Sequence, residues 1–73
     1  MQIEKLIKMA NQIGDFYSAF PDQHEAKKEI AGHLNKFWNL SMRQSISQYV
    51  LKQQGTGLHL SVIEAIQQHI KLT

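Results

Sequence analysis

Apolar residues recur along the chain at intervals of three and four, the spacing that keeps them on one face of an α-helix. In the first segment this face consists of Ile3, Leu6, Ala10, Ile13, Tyr17 and Phe20. Ile7, Met9 and Phe16 widen the apolar arc of the same helix to about 180°. Because a surface helix usually needs a narrower stripe, we expect two neighbours to cover the first helix.

Capping residues and one proline mark the predicted helix ends. Pro21 cannot continue a helix and ends the first one. A capping box, in which a glutamate or glutamine follows the capping residue by three positions, occurs as Asp22–Glu25, Ser41–Gln44 and Ser61–Glu64. Gly55 and Gly57 are suited to end the third helix, because glycine enters the left-handed conformation without steric penalty. The predicted helices lie near residues 2–19, 22–38, 42–53 and 62–71.

The predicted fold is an all-α, compact bundle of three to four helices in a single domain over residues 1–73. No segment shows the strict alternation of apolar and polar residues that is typical of a half-buried strand. Scaling rules for a chain of this size give about 4,600 Å² of accessible surface and one modest core. A small-molecule site of about 300 Å³ would consume much of that core, so we expect a protein partner instead of independent catalysis.

Composition excludes several kinds of function. The chain has no cysteine, which excludes disulfides, thiolate metal sites and a cysteine nucleophile. No apolar run approaches the roughly 20 residues that span a bilayer, and we expect a cytoplasmic protein without a membrane segment. The net charge of +2 comes from seven lysines and Arg43, which are spread along the chain. Such a mild charge does not by itself indicate nucleic-acid binding.

The residues that could carry chemistry form no recognisable site. None of the four histidines has another at the i, i+4 spacing that directs two imidazoles at one metal. Ser41 and Ser61 are explained as helix caps, and Glu25 and Glu29 lie beside lysines on a solvated face. We therefore predict no catalytic residue, no metal site and no bound cofactor.

Gly14 is the first of two unusual features, because glycine within a helix costs about 1 kcal/mol relative to alanine. Ala10, Gly14 and Ser18 are spaced four apart and form a strip of small residues, with Asn11 beside it. Another backbone could approach closely along this strip. Packing inside the bundle is the favoured interpretation, and a partner groove is the alternative.

The second feature is the pair Phe37-Trp38, at the edge of the second helix's apolar face and just before a short turn. Burial is the default for a tryptophan, yet tryptophan and arginine are enriched at interface hot spots. Trp38 and Arg43 flank the same turn, so a partner site there is the alternative hypothesis.

A helix-turn-helix DNA-binding regulator is the rival function. The second helix of that motif would present Arg43, Gln44, Ser47 and Gln48 to a major groove. The single arginine, the small net charge and a turn without glycine weigh against this hypothesis.

Three blocks of sequence carry a resemblance to a known family. They are Lys8-Met9-Ala10-Asn11-Gln12-Ile13-Gly14 followed by Phe16, then Ile30-Ala31-Gly32-His33-Leu34 with Lys36-Phe37-Trp38 and Met42-Arg43, and finally Gly57-Leu58 with Glu64-Ala65. In order and spacing they resemble the delta subunit family of NAD-dependent, molybdenum-containing formate dehydrogenases, from about Leu6 to His69. The chain departs from that family at Asn39-Leu40-Ser41, where the family often has an Asp-Pro-Arg type turn.

The resemblance implies a small, non-catalytic accessory subunit of a cytoplasmic complex that oxidises formate to carbon dioxide and reduces NAD. The other subunits would hold the molybdenum, iron–sulfur and flavin groups, and this chain would support assembly, maturation or stability. Self-association stays open, as does the choice between a permanent subunit and a transient maturation factor. Together with the two unusual features, the resemblance predicts a partner surface at Ala10, Asn11, Gly14, His33, Phe37, Trp38 and Arg43.

Overall fold

Four α-helices make up the fold of the computed structural model, which describes residues 2–73. They are α1 (Ile3–Tyr17), α2 (Gln23–Phe37), α3 (Leu40–Gln53) and α4 (Leu60–His69). The described residues contain no β-strand, so the all-α prediction is confirmed. The helix ends differ from the predicted ones by one to two residues at most positions.

The core lies mainly between α2 and α4, the pair of helices that packs most extensively. Six of its side chains are almost completely shielded from solvent, namely Leu6, Ile30, Leu34, Ile46, Val62 and Ile66. All four helices contribute to this set, so each depends on the others for burial of its apolar face. The accessible surface is 4722 Å², close to the value of about 4,600 Å² expected from chain mass.

Only one of the three predicted capping boxes supplies its helix cap. Asp22 begins α2, and its Oδ1 accepts hydrogen bonds from the amides of His24 at 2.9 Å and Glu25 at 3.4 Å. The prediction for Ser41 is wrong, because Asn39 caps α3 and accepts from the Met42 amide at 2.9 Å. An asparagine placed two residues earlier satisfies the free amides first, so the helix has already begun at Ser41.

The prediction for Ser61 is also wrong, since α4 begins at Leu60 and Ser61 lies in its first turn. His59 occupies the capping position without a side-chain hydrogen bond. Its own amide donates to Asn11 Oδ1 at 2.9 Å, and its carbonyl accepts from Val62 and Ile63 at 3.0 Å each. A tertiary contact from α1 therefore determines where α4 starts.

The turn after α3 has three consecutive or nearly consecutive residues with positive φ: Gln54 at 59°, Gly55 at 71° and Gly57 at 92°. The prediction that glycine ends this helix is confirmed only in part, because Gln54 is the first left-handed residue. A Cβ on Gly55 would lie 2.7 Å from Ile63 Cγ1. Gly55 therefore serves close packing against α4 as well as the turn.

Replacing Asn39 by alanine tests the observed cap of α3. We expect the free energy of unfolding to fall by about 1 kcal/mol, because the Met42 amide loses its acceptor. Urea denaturation followed by circular dichroism measures the change. Ser41→Ala is the matched control and should change stability by less than about 0.5 kcal/mol. A larger effect at Ser41 than at Asn39 would show that the predicted cap is the real one.

Candidate interaction groove

An open groove of about 640 Å³ runs between α1 and α2. Nine residues line it: Met9, Gln12, Ile13, Phe16, Tyr17, His33, Phe37, Trp38 and Met42. α1 supplies the first five, α2 supplies His33 and Phe37, and the turn and the start of α3 supply the last two. Seven of the nine side chains are aromatic or aliphatic, so the groove is suited to take up apolar groups.

Aromatic rings form both walls of the groove. On the α1 side the rings of Phe16 and Tyr17 meet edge to face, with centroids 5.0 Å apart and an angle of 89° between planes. On the α2 side the rings of His33 and Phe37 lie 4.7 Å apart at 45°. The two phenylalanines are 75% and 65% exposed, respectively. Two large rings that remain in water on facing walls mark an apolar surface without an internal partner.

Trp38 lies deeper than its neighbour Phe37. It is only 5% exposed and belongs to the core cluster. Its backbone leaves helical geometry, with φ −87° and ψ 138°, which turns the indole inward at the end of α2. Trp38 thus joins the groove to the core, whereas Phe37 stands at the surface.

Of the strip of small residues, Ala10 and Gly14 are buried, whereas Ser18 is exposed after the end of α1. Ala10 is fully buried, and a Cβ on Gly14 would lie 2.6 Å from Val62 Cγ2. Glycine is therefore required for the close approach of α4, which supports the interpretation as packing inside the bundle. The predicted partner contact of Ala10 and Gly14 stays a prediction; in this structure Ala10 is buried and Gly14 packs against α4.

Asn11 and Arg43 also bond within the chain. Asn11 Nδ2 donates to the Gly57 carbonyl at 2.9 Å, in addition to the bond that its Oδ1 accepts from the loop before α4. Arg43 donates through Nε to the Trp38 carbonyl at 3.1 Å and through Nη1 to the Lys71 carbonyl at 2.7 Å. The guanidinium on which the DNA-binding hypothesis depended is thus engaged inside the chain.

Of the seven residues predicted for partner binding, His33, Phe37 and Trp38 line the groove. The α1 wall was not assigned to that surface. The sequence did contain an indication of this α1 wall, namely the wide apolar arc to which Met9 and Phe16 contribute. The other helices bury one part of the arc, including Leu6 and Ala10, and the groove exposes another part.

Within residues 2–73, no three His, Cys, Asp or Glu side chains gather closely enough to hold a metal ion. Across the same residues, every helix is too short or too polar to cross a membrane. The groove supplies apolar contact area, and His33, Gln12 and Tyr17 add polar groups to its lining.

The fold and groove define a small four-helix protein with an open apolar surface between its first two helices. The chain belongs to the NADH-dependent formate dehydrogenase delta subunit family, FdsD, whose family model matches residues 5–71. Neither a curated protein nor a solved structure matches the chain significantly. The family match confirms the resemblance carried by the three sequence blocks.

Proposed function

We propose that this chain is a non-catalytic accessory subunit of a cytoplasmic NAD-dependent formate dehydrogenase, and that the groove between α1 and α2 docks it on another subunit. Its role is to support assembly, maturation or stability of the complex through this contact. The observation that carries the proposal is the pair of exposed rings, Phe16 and Phe37, on facing walls of one apolar groove. Membership of a formate dehydrogenase subunit family supports the choice of partner.

The expected occupant of the groove is an amphipathic helix of the partner subunit. A helix laid in a groove presents its apolar anchors at i, i+3 or i+4 and i+7, which suits a cleft between two helices. Burying one phenylalanine side chain contributes roughly 1.5–3 kcal/mol. Phe16 and Phe37 together can therefore dominate the contact, as a few aromatic anchors do in most interfaces.

The proposal assigns all redox chemistry to the other subunits. Iron–sulfur clusters are held chiefly by cysteine thiolates, and the chain contains no cysteine. The apolar lining of the groove supplies one imidazole, from His33, and no carboxylate. A single imidazole without a partner acid or nucleophile is a poor basis for catalysis.

Co-purification of the double variant Phe16→Ser/Phe37→Ser with the formate dehydrogenase subunits tests the proposal. We expect recovery of the complex to fall at least about tenfold, because loss of two buried rings exceeds the 1.4 kcal/mol that corresponds to a factor of ten. The matched control is Leu51→Ser/Leu60→Ser, since these leucines are 77% and 70% exposed and lie outside the groove. The control should retain recovery within about twofold.

The same experiment separates the alternatives. Equal loss of recovery in both double variants, or undiminished recovery of the Phe16→Ser/Phe37→Ser protein, would contradict docking through the groove. Thermal unfolding of each purified variant checks that the fold is intact. Stoichiometric recovery with the mature enzyme indicates a permanent subunit, whereas recovery only with the cofactor-free catalytic subunit indicates a maturation factor.

A further inference from the structure

A second concavity lies between α2 and the C-terminal residues that follow α4. It is shallow and open to solvent, has a volume of about 520 Å³, and is lined by Lys28, Gly32, Asn35, Lys36, His69 and Lys71. Three of the chain's eight lysines and arginines thus meet at one pocket. The lining contains no carboxylate, so the pocket has a strongly positive character.

α2 spaces two of these lysines around an open position. Lys28, Gly32 and Lys36 follow each other at intervals of four and share one face of the helix. Lys28 and Lys36 are eight residues apart in sequence, which corresponds to about 12 Å along the axis. A Cβ on Gly32 would have no heavy atom within 4 Å. The helix surface between Lys28 and Lys36 is therefore free for a ligand.

The third lysine is held in place by backbone hydrogen bonds. The Lys71 amide donates to Asn35 Oδ1 at 2.8 Å, and Asn35 Nδ2 donates to the His69 carbonyl at 3.1 Å. The Lys71 carbonyl accepts from Arg43 Nη1 at 2.7 Å. Chain termini are usually loose unless they are tied down. Two side chains from different helices fix the backbone of Lys71 at the rim of the pocket.

The cations of the pocket lack internal counter-charges. The ion pairs within residues 2–73 are Lys27–Glu64 at 3.0 Å and His59–Asp15 at 2.9 Å, and neither includes a pocket residue. His69 lines the pocket, and its Nε2 is buried without a hydrogen-bond partner within the part of the protein that the structure describes. Lys36 is partly engaged, since its Nζ lies 5.4 Å from the centroid of the Phe37 ring.

We infer that this pocket binds the diphosphate group of a small-molecule ligand. Three lysines around one concavity favour an anion that carries several charges and many acceptor oxygens, and a diphosphate offers more of both than a single phosphate. Lysine binds phosphate groups as a point charge. The volume lies within the range of about 300–1,000 Å³ that is usual for small-molecule sites. The inference is independent of docking through the groove.

Titration of the full-length protein with inorganic pyrophosphate, followed by two-dimensional NMR at constant ionic strength, tests the inference. We expect saturable shifts of the Gly32 and Lys71 amides and of the His69 ring, with affinity at least about tenfold higher than for orthophosphate, because additional charge-assisted hydrogen bonds form. Absence of saturation would overturn the inference. So would tighter binding of a glutamate-rich peptide of equal charge, which would assign the pocket to an acidic protein segment.

Lysine variants locate the site. Lys28→Gln and Lys71→Gln should each weaken pyrophosphate binding by about tenfold, because each removes one charge-assisted contact. Lys8→Gln and Lys52→Gln lower the net charge equally outside the pocket and should leave affinity within about twofold. Lys36 is not substituted because it also contacts Phe37. If all four variants weakened pyrophosphate binding equally, the binding would depend only on the net charge of the protein. That result would overturn the inference.

Discussion

Replacing Trp38 by alanine lowers the free energy of unfolding by about 3–5 kcal/mol, the usual cost of deleting a large buried aromatic side chain. The indole is 5% exposed and packs in the core cluster. A chain of 73 residues has a total stability on the order of 4–11 kcal/mol. The variant is therefore expected to lose a large part of its stability, and urea denaturation monitored by circular dichroism measures the loss.

Phe37→Ala is the neighbouring control for this prediction. Its ring is 65% exposed and contacts His33 and Lys36 at the surface. We expect its removal to cost less than about 1 kcal/mol, as is usual for surface positions. Comparable destabilisation by the two alanine variants would contradict the division of the Phe37-Trp38 pair into a surface ring and a core ring.

The second large effect is expected from Gly14→Ala, with a loss of about 1–3 kcal/mol from overpacking. The added Cβ would lie 2.6 Å from Val62 Cγ2, and Val62 is fully buried with a stiff, β-branched side chain. Alanine improves helix propensity by about 1 kcal/mol, so the net loss of stability is expected to reach at most about 2 kcal/mol. Thermal unfolding should show a lower midpoint, by roughly 4–8 °C per kcal/mol for a domain of this size.

Gly32→Ala is the same chemical change, but it is expected to raise the free energy of unfolding instead of lowering it. Gly32 lies within α2, and a Cβ there meets nothing within 4 Å. Only the propensity term remains, so we expect stabilisation by about 1 kcal/mol. If Gly14→Ala stabilised the protein as much as Gly32→Ala, close contact between α1 and α4 at Val62 would be refuted.

Periodicity was sufficient to predict four helices, because each has to bury one apolar face in a common core. It was not sufficient for the start of α3. Asn39 and Ser41 can both cap a helix, and the pattern of apolar residues is compatible with either. The start of α4 depends on Asn11, which is 48 residues away from His59. A contact over that distance is invisible in local sequence.

The groove was only partly predictable for a related reason. A helical projection treats Trp38 as a residue of the second helix, but its extended backbone ends that geometry and turns the indole inward. Gly14 indicated a close approach without showing what approaches. Met9 and Phe16 on α1 signalled surplus apolar surface. Only the packing of α2, α3 and α4 against α1 shows which side of that surface the chain itself covers.

Asn11 also has a consequence for the order in which the chain can fold. Its two hydrogen bonds reach Gly57 and His59, which are 46 and 48 residues further along the chain. Loop closure over such a separation has to precede these contacts. These two bonds can therefore form only after the loop before α4 has been made, whereas the packing of α1 against α2 and α3 does not depend on them.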